Sequence, residues 1–176
     1  MKAIITDNFF TDFDLIKESF KEIPLYDEKT FNKKGLGPKK NQSWPGKRSA
    51  ELSESNPFLY NLIKKEFFEK FGYVIGNRPV YIESYIHLRL QKDEAKDWVH
   101  KDLPDDFSFL VYLSDTNLDS GTCLYEEQNG KPSLTVNFLQ NRALLFDSNQ
   151  WHRSMNNHGH SINDGRLTLN CFIRYA

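Results

Sequence analysis

The run "PVYIESYIHLRLQ", residues 79–91, constrains the fold more than any other stretch of this chain. Val80, Ile82, Ser84, Ile86, Leu88 and Leu90 fall on one side of an extended backbone, and Tyr81, Glu83, Tyr85, His87 and Arg89 on the other. A period of two is the signature of a strand. Here the two faces differ in chemistry. One is almost wholly aliphatic, and the other carries phenols, a carboxylate, an imidazole and a guanidinium. Strand-like segments continue after it as "FSFLVYLSD", "GTCLYEE", "PSLTVNFL", "RALLFD" and "RLTLNCFIRY". Turn signals such as "DSG" at 119–121 and "NG" at 129–130 separate several of them. About eight short strands after residue 75 predict a mainly β domain, a sandwich or jelly roll.

The first 75 residues read differently. "TDFDLIKESFKEI", 11–23, predicts a short helix capped by Thr11 or Asp12, with Phe13, Ile16 and Phe20 at helical spacing. "NPFLYNLIKKEFFEKFG", 56–72, predicts a longer one: Asn56 caps it, Pro57 takes the first turn and Gly72 ends it. Its apolar face is Phe58, Leu59, Leu62, Ile63, Phe67 and Phe71. Residues 24–55 show little periodicity. Within them, 32–48 hold six basic residues, three glycines, two prolines and no acid, which predicts a long surface loop. Such a loop is either a solvated surface or a site for an anionic or nucleic-acid partner. Trp44 beside Pro45 and Gly46 can fold over a pocket as a lid.

A length of 176 residues fits one domain, 1–75 being a helical part and 76–176 a β core. Fourteen Phe and eight Tyr can fill that core. No apolar run reaches the roughly 20 residues a membrane crossing needs. The N-terminus turns acidic too early for a secretory signal, so a cytoplasmic location is expected. A net charge of −1 creates no global field toward nucleic acid or membrane. Cys123 and Cys171 lie far apart, form no CxxC pair, and read as reduced core residues.

The chemistry starts at "WVHKD", 98–102. In extended backbone His100 and Asp102 point to one side. Two ligands do not hold a metal firmly, and the chain has five histidines from which to draw a third: 87, 100, 152, 158 and 160. His152 directly follows the apolar strand "RALLFD" and its polar turn, so its position is well fixed. His158 and His160 sit among turn residues and read as a solvated loop. His87 is either a pocket residue or a hydrogen-bonded structural imidazole. Two imidazoles and one carboxylate on one face of a metal mark non-haem Fe(II) oxygenases. Arg166 opens the last strand, where its guanidinium can grip a dicarboxylate in bidentate fashion. A 2-oxo acid chelates iron, supplies two electrons, and needs a cation at its far end. Trp98 and Trp151 flank ligands and can shield the metal or stack on substrate, with core packing as the plain reading.

The motifs "HKD", "FLVYLSD", "SGTCLYEE", "RALLFDSNQWHRS" and "GRLTLN", in this order, resemble the 2-oxoglutarate/Fe(II)-dependent dioxygenases, nearest to the prolyl-4-hydroxylase-like branch and its small bacterial and phage members. The resemblance covers roughly residues 80–176, and "DNFF" and "WPGKRSAEL" extend it weakly toward the N-terminus. It implies a double-stranded β-helix, cupin-like, with the N-terminal helices packed on it. It implies that His100, Asp102 and His152 ligate Fe(II) and that Arg166 is the counter-ion for the distal carboxylate of 2-oxoglutarate. Tyr112 would hydrogen-bond that carboxylate, Asn170 would be a polar partner on the same strand, and Tyr85 would line the co-substrate or substrate pocket. One family glycine is replaced by Ser120, which touches no ligand.

The implied reaction uses O2, with ascorbate in a supporting role. It couples decarboxylation of 2-oxoglutarate, to succinate and CO2, with hydroxylation of a C–H bond. Related halogenases lack the carboxylate ligand, so Asp102 points to hydroxylation or demethylation. A peptidyl prolyl or other amino-acid side chain is the implied substrate class. Two other readings stay open on sequence: a jelly-roll binding module without activity, and a cupin-type metal enzyme that does not use 2-oxoglutarate.

Overall fold

A computed structural model describes residues 3–38, 43–76 and 78–176. The strands are β1 (Ile4–Thr6), β2 (Leu25–Asp27), β3 (Lys47–Ser49), β4 (Val80–Arg89), β5 (Phe107–Tyr112), β6 (Asn117–Tyr125), β7 (Pro132–Phe138), β8 (Ala143–Asp147), β9 (Trp151–Met155) and β10 (Arg166–Tyr175). They form a seven-stranded sheet in the order β1-β8-β5-β10-β4-β3-β2 and a three-stranded sheet in the order β7-β6-β9. Among the described residues the strands pair antiparallel throughout both sheets. The two sheets face each other as a double-stranded β-helix, with helices laid on the outside of the larger one.

The alternation of β4 explains this layering. Ile82, Ile86 and Leu88 turn outward and join Leu167, Leu169 and Ile173 of β10 and Phe109 and Val111 of β5 in one apolar cluster. The helix α5 (Pro57–Ile75) covers that surface with Leu59, Ile63, Phe67, Phe71 and Ile75. Phe109 is the junction, its ring centroid 5.1 Å from Phe9, 5.1 Å from Phe67 and 5.5 Å from Phe71. A second cluster, Leu110, Tyr112, Leu124, Val136, Phe138, Leu144 and Phe146, fills the space between the sheets.

The start of α5 is the expected one: Asn56 Oδ1 accepts the Leu59 amide at 3.1 Å, and Pro57 opens the first turn. Its end is a correction. Gly72 does not stop the helix, because the apolar stripe continues to the buried Ile75. Gly76, at φ 63°, takes the left-handed cap instead. Phe58, expected on the apolar face, is 80% exposed in the first turn. The helix expected over 11–23 is two short ones, α1 (Phe13–Ile16) and α2 (Ser19–Glu22). Both deliver a phenylalanine to the core, and Ile23 is extended before Pro24, where helical backbone clashes.

The surface loop expected over 32–48 is also corrected. Helix α3 (Glu28–Lys34) enters it, capped by Asp27 accepting the Thr30 amide and closed by Gly35 at φ 64°. Strand β3 leaves it, pairing Lys47 with Leu88 and Arg48 with His87. That pairing draws Trp44 and Arg48 inside, with the guanidinium 4.2 Å from the indole centroid. Lys39 and Lys40 lie outside the described residues. A short helix α4 (Leu52–Ser55) precedes α5, and a 3₁₀ turn, Gln91–Lys96, follows β4. No helix among the described residues is long and apolar enough to cross a membrane. Cys123 and Cys171 are buried and free.

Asn141 ties the N-terminal segment to this frame. Its Oδ1 accepts the Phe10 amide at 2.8 Å and its Nδ2 donates to the Phe10 carbonyl at 2.9 Å, both buried. Its own backbone sits at φ 61°, a conformation that asparagine tolerates better than most residues. Asn141→Ala would strand a buried amide and carbonyl, at about 1–3 kcal/mol for such groups. It would add about 1–2 kcal/mol for the left-handed backbone. Chemical denaturation is expected to show a loss of about 2–5 kcal/mol, smaller in Asn141→Gly, which lacks the backbone penalty.

Candidate metal centre

The inner face of the large sheet repeats the polar side of the β4 alternation. β4 contributes Glu83, Tyr85, His87 and Arg89, and β10 pairs with it through Arg166–Arg89, Thr168–His87, Asn170–Tyr85 and Phe172–Glu83. β5 adds Ser108 opposite Phe172 and Leu110 opposite Asn170. Across the gap, Thr122 of β6 pairs with Ser154 of β9, and Leu124 with His152. Between these faces lies a cavity of about 290 Å³, with His100, Asp102, His152, Arg166, Arg89, Arg48 and Asn170 among its walls.

His100 and Asp102 lie in the segment between the 3₁₀ turn and β5. The segment is held by the backbone. His100 N–H donates to the His152 carbonyl at 3.0 Å, and His152 N–H returns to the His100 carbonyl at 2.9 Å. Such a pair fixes two residues opposite each other with their side chains adjacent. The two imidazole centroids are 4.4 Å apart. Asp102 N–H donates to the Ser148 carbonyl at 3.0 Å, which presses the carboxylate into the same place. One ligand atom from each of His100, Asp102 and His152 falls within 4.8 Å of the others.

The donor set suits a divalent metal. His100 Nδ1 is 2.9 Å from the Trp98 carbonyl and His152 Nδ1 is 3.0 Å from the Gln150 carbonyl. A carbonyl can only accept, so each Nδ1 carries the proton and each Nε2 presents its lone pair. Those Nε2 atoms face the carboxylate, 3.6 Å from Oδ1 for His100 and 3.2 Å from Oδ2 for His152. Ser108 Oγ donates to Asp102 Oδ2 at 2.6 Å and sits 2.9 Å from Ser148 Oγ.

Burial opposes ionisation of Asp102, but the two imidazoles and Ser108 hold its carboxyl well below the usual range. Burial and the neighbouring His152 push His100 down. Burial also works against a charged His152, yet Asp102 lifts it above its ordinary value.

Arg166 enters the same cavity. Its Nη2 donates weakly to Gly121 O at 3.3 Å and Thr122 Oγ1 at 3.4 Å, and its buried Nε has no partner. Tyr112 does not line the cavity. Its ring lies against the Arg166 guanidinium, 5.8 Å from the centroid, while its hydroxyl donates to Thr122 Oγ1 at 2.9 Å. Asn170 is in the cavity wall and accepts from Thr168 Oγ1 at 2.7 Å. Tyr85 is fully buried behind the wall, its hydroxyl donating to Glu83 at 2.6 Å.

His87 is a structural imidazole. Its Nε2 is 2.8 Å from the Pro45 carbonyl, and burial, with Arg89 and Arg48 nearby, keeps it well below its usual pKa. His158 packs edge-on against Phe138, and His160 is exposed. Trp44 and Trp98 line the cavity, Trp98 being 43% exposed at its rim. Trp151 instead carries the Lys101 ammonium over its ring.

Residues not anticipated from sequence support the site: Ser108, Ser148, Arg89, Asp97 and Ser154. The alternation placed Arg89 on the polar face but left its role unread. The serines and Asp97 carry no signal at all until the fold is known. Partners of metal ligands typically matter 10–100-fold in metal affinity. Ser108→Ala is therefore expected to weaken Co(II) binding by roughly tenfold while the thermal midpoint of the metal-free protein moves little.

No family model matches the chain, and no curated protein matches it. Solved structures do. HygX from Streptomyces hygroscopicus, with nickel and 2-oxoglutarate bound, aligns over 99% of this chain and 83% of its own, with a TM-score of 0.67 at 14% identity. A 2OG-Fe(II) oxygenase family oxidoreductase from Burkholderia pseudomallei covers 98% of this chain and 84% of its own, at TM-score 0.65 and 12% identity. A Pseudomonas putida prolyl-4-hydroxylase covers 99% and 92%, at TM-score 0.58 and 14% identity. The chain therefore has the double-stranded β-helix fold found in 2-oxoglutarate/Fe(II) oxygenases, prolyl-4-hydroxylases among them.

Proposed function

We propose that this chain is a non-haem Fe(II), 2-oxoglutarate-dependent dioxygenase. It hydroxylates a C–H bond of an organic substrate and releases succinate and CO2. An amino-acid or peptidyl side chain, prolyl included, is the substrate class in view. The chain acts as one domain, residues 1–75 packing on the β core of 76–176. The observation that carries this reading is the convergence of His100, Asp102 and His152 in the wall of a cavity that Arg166 also lines. HygX, solved with nickel and 2-oxoglutarate, supplies the parallel for the co-substrate. The Trichoplax adhaerens prolyl hydroxylase, solved with a peptide fragment, supplies one for a peptidyl substrate.

His100, Asp102 and His152 would hold the iron, leaving its other positions open to ligands from the cavity. The bound metal would supply O2 activation driven by the electrons of the 2-oxo acid. The protein's part is geometry and charge. The Trp98 and Gln150 carbonyls keep both Nε2 lone pairs available. Ser108 holds the Asp102 carboxylate in one orientation. Arg166 gives the far carboxylate of 2-oxoglutarate a cation inside the cavity, where water does not screen it. Its guanidinium is softened by burial and by Arg89, to about 10, and still fully charged at neutral pH. Trp44, Arg48, Glu83 and Phe172 line the same cavity and form a mixed aromatic and charged surface for substrate.

An anaerobic titration of Fe(II) and 2-oxoglutarate tests the reading. The wild type is expected to develop a weak visible charge-transfer band. His100→Ala should abolish it, and Arg166→Ala should weaken it at least tenfold at equal co-substrate, as expected for loss of a charge-assisted bidentate contact. A wild type that binds Fe(II) but shows no band with 2-oxoglutarate rules the assignment out.

A further inference from the structure

The cavity wall holds two buried guanidiniums on neighbouring strands. Arg89 and Arg166 are register partners on β4 and β10, both in the cavity wall, and 7% and 3% exposed. Like charges directly opposite each other across two strands repel. Burial strengthens the repulsion, so the pair needs compensation.

Half of it is present. The Asp97 side chain is fully buried, and its Oδ2 lies 2.5 Å from Arg89 Nη1. The same nitrogen donates to Ser154 Oγ at 2.7 Å, and the Ser154 hydroxyl in turn donates to Asp97. Burial disfavours a charged Asp97, but Arg89 and Ser154 hold its carboxyl below the ordinary value, so it stays ionised.

The other half is missing. Among the described residues no carboxylate pairs with Arg166, and its hydrogen bonds run through Nη2 alone, at 3.3 and 3.4 Å. Among the described residues Arg89 bonds through Nη1 alone. The Nε of each is buried without a partner. Two guanidiniums on register-paired residues, with spare donors and one buried carboxylate held by Arg89, leave a net charge of +1, two cations less one anion.

We propose that Arg89 is a second anchor for the far carboxylate of the co-substrate, forming with Arg166 and Asp97 a socket of net charge +1. The inference rests on the 2-oxoglutarate reading above and deepens it. The charges then match at both ends of the ligand. A divalent metal with Asp102 leaves +1 for the near carboxylate, and the socket leaves +1 for the far one. A 2-oxo acid without a far carboxylate leaves the socket's buried donors unmatched, which is the kind of difference that gives strong discrimination.

The test uses Co(II)-loaded protein without O2 and two probes, 2-oxoglutarate and 2-oxobutyrate, the latter lacking the far carboxylate. Arg89→Gln/Asp97→Asn removes a buried charge pair together, so no lone ion is left inside. Asp97→Asn alone separates the two residues, and Arg89→Lys keeps the charge but loses the fork. The double variant is expected to bind 2-oxoglutarate roughly 10–100-fold more weakly, as for loss of charged hydrogen bonds. Its affinities for Co(II) and 2-oxobutyrate should match wild type. Arg89→Lys should fall between, and Asp97→Asn, which leaves the Arg89 guanidinium in place, should weaken 2-oxoglutarate clearly less than the double variant.

Unchanged 2-oxoglutarate affinity in both Arg89 variants overturns the assignment. So does an equal loss for both probes, which marks a structural role, and so does a loss fully reproduced by Asp97→Asn. Should the double variant not fold, the same readings on Arg89→Lys decide. A wild type that binds Co(II) but neither probe removes the dioxygenase reading itself, a result distinct from all of these.

Discussion

Two reciprocal backbone hydrogen bonds, between His100 and His152, hold the candidate site together. They clip a segment without regular structure onto β9, and among the described residues no other strand pairing connects it to that sheet. Once the clip is closed, alternation does the rest. Opposed residues of an antiparallel pair share a face, so both imidazoles must emerge on the same side. Asp102, two residues on, follows them, held by its own amide on Ser148. The exposure of the segment explains why this anchoring matters. Leu103 and Pro104 are at the surface, so little packing would otherwise fix the ligands that precede them.

The second constraint is electrostatic. The cavity wall holds three guanidiniums, of Arg48, Arg89 and Arg166, and the Asp102 carboxylate, in surroundings that strip water from each. Buried charges are tolerated when paired and hydrogen-bonded, and are costly otherwise. Here the solutions differ by position. Arg89 is neutralised by a wholly buried aspartate. Arg48 lies within 4.2 Å of the Trp44 ring centroid and 4.9 Å of that of Tyr85, whose faces favour a cation. Arg166 has aromatic rings on one side, Tyr112 and Phe138, and long contacts to neutral oxygens on the other. Of these guanidiniums, the one held by long contacts to neutral oxygens is thus the one that opens β10, on the strand face that looks into the cavity.

Much of the plan could be read from local sequence because the relevant signals are local. Two-residue alternation in 79–91 separated two chemically different faces before any partner strand was known, and in β4 one of them packs under the helices while the other looks into the cavity. Imidazoles are few in this chain, so a ligand set drawn from five could be narrowed by asking which follow a strand. What escaped depends on contacts between distant segments. Trp44 and Arg48 look like loop residues until β3 is seen to pair with β4, some 40 residues later. Asp97 and Ser154 meet across 57 positions and are unremarkable in isolation. Gly72 looked like a stop because glycine often is one, but tertiary packing of Ile75 overrode that preference.

The helical third of the chain is what allows the inner face of the large sheet to be polar. A sheet with one apolar and one polar face is stable only when the apolar face is covered. In this fold the inner face holds Glu83, His87, Arg89, Arg166, Thr168 and Asn170, so hydrophobic burial must come mainly from the outer side. Helix α5 and the Phe9–Phe10 segment supply it, meeting the sheet through Phe109. The clamp by Asn141 is then more than a local hydrogen bond. It seats two phenylalanines against the outer face of a sheet whose other face is given over to a cavity. Stability and chemistry occupy opposite sides of the same three strands, β5, β10 and β4, and the period of two in their sequences keeps them apart.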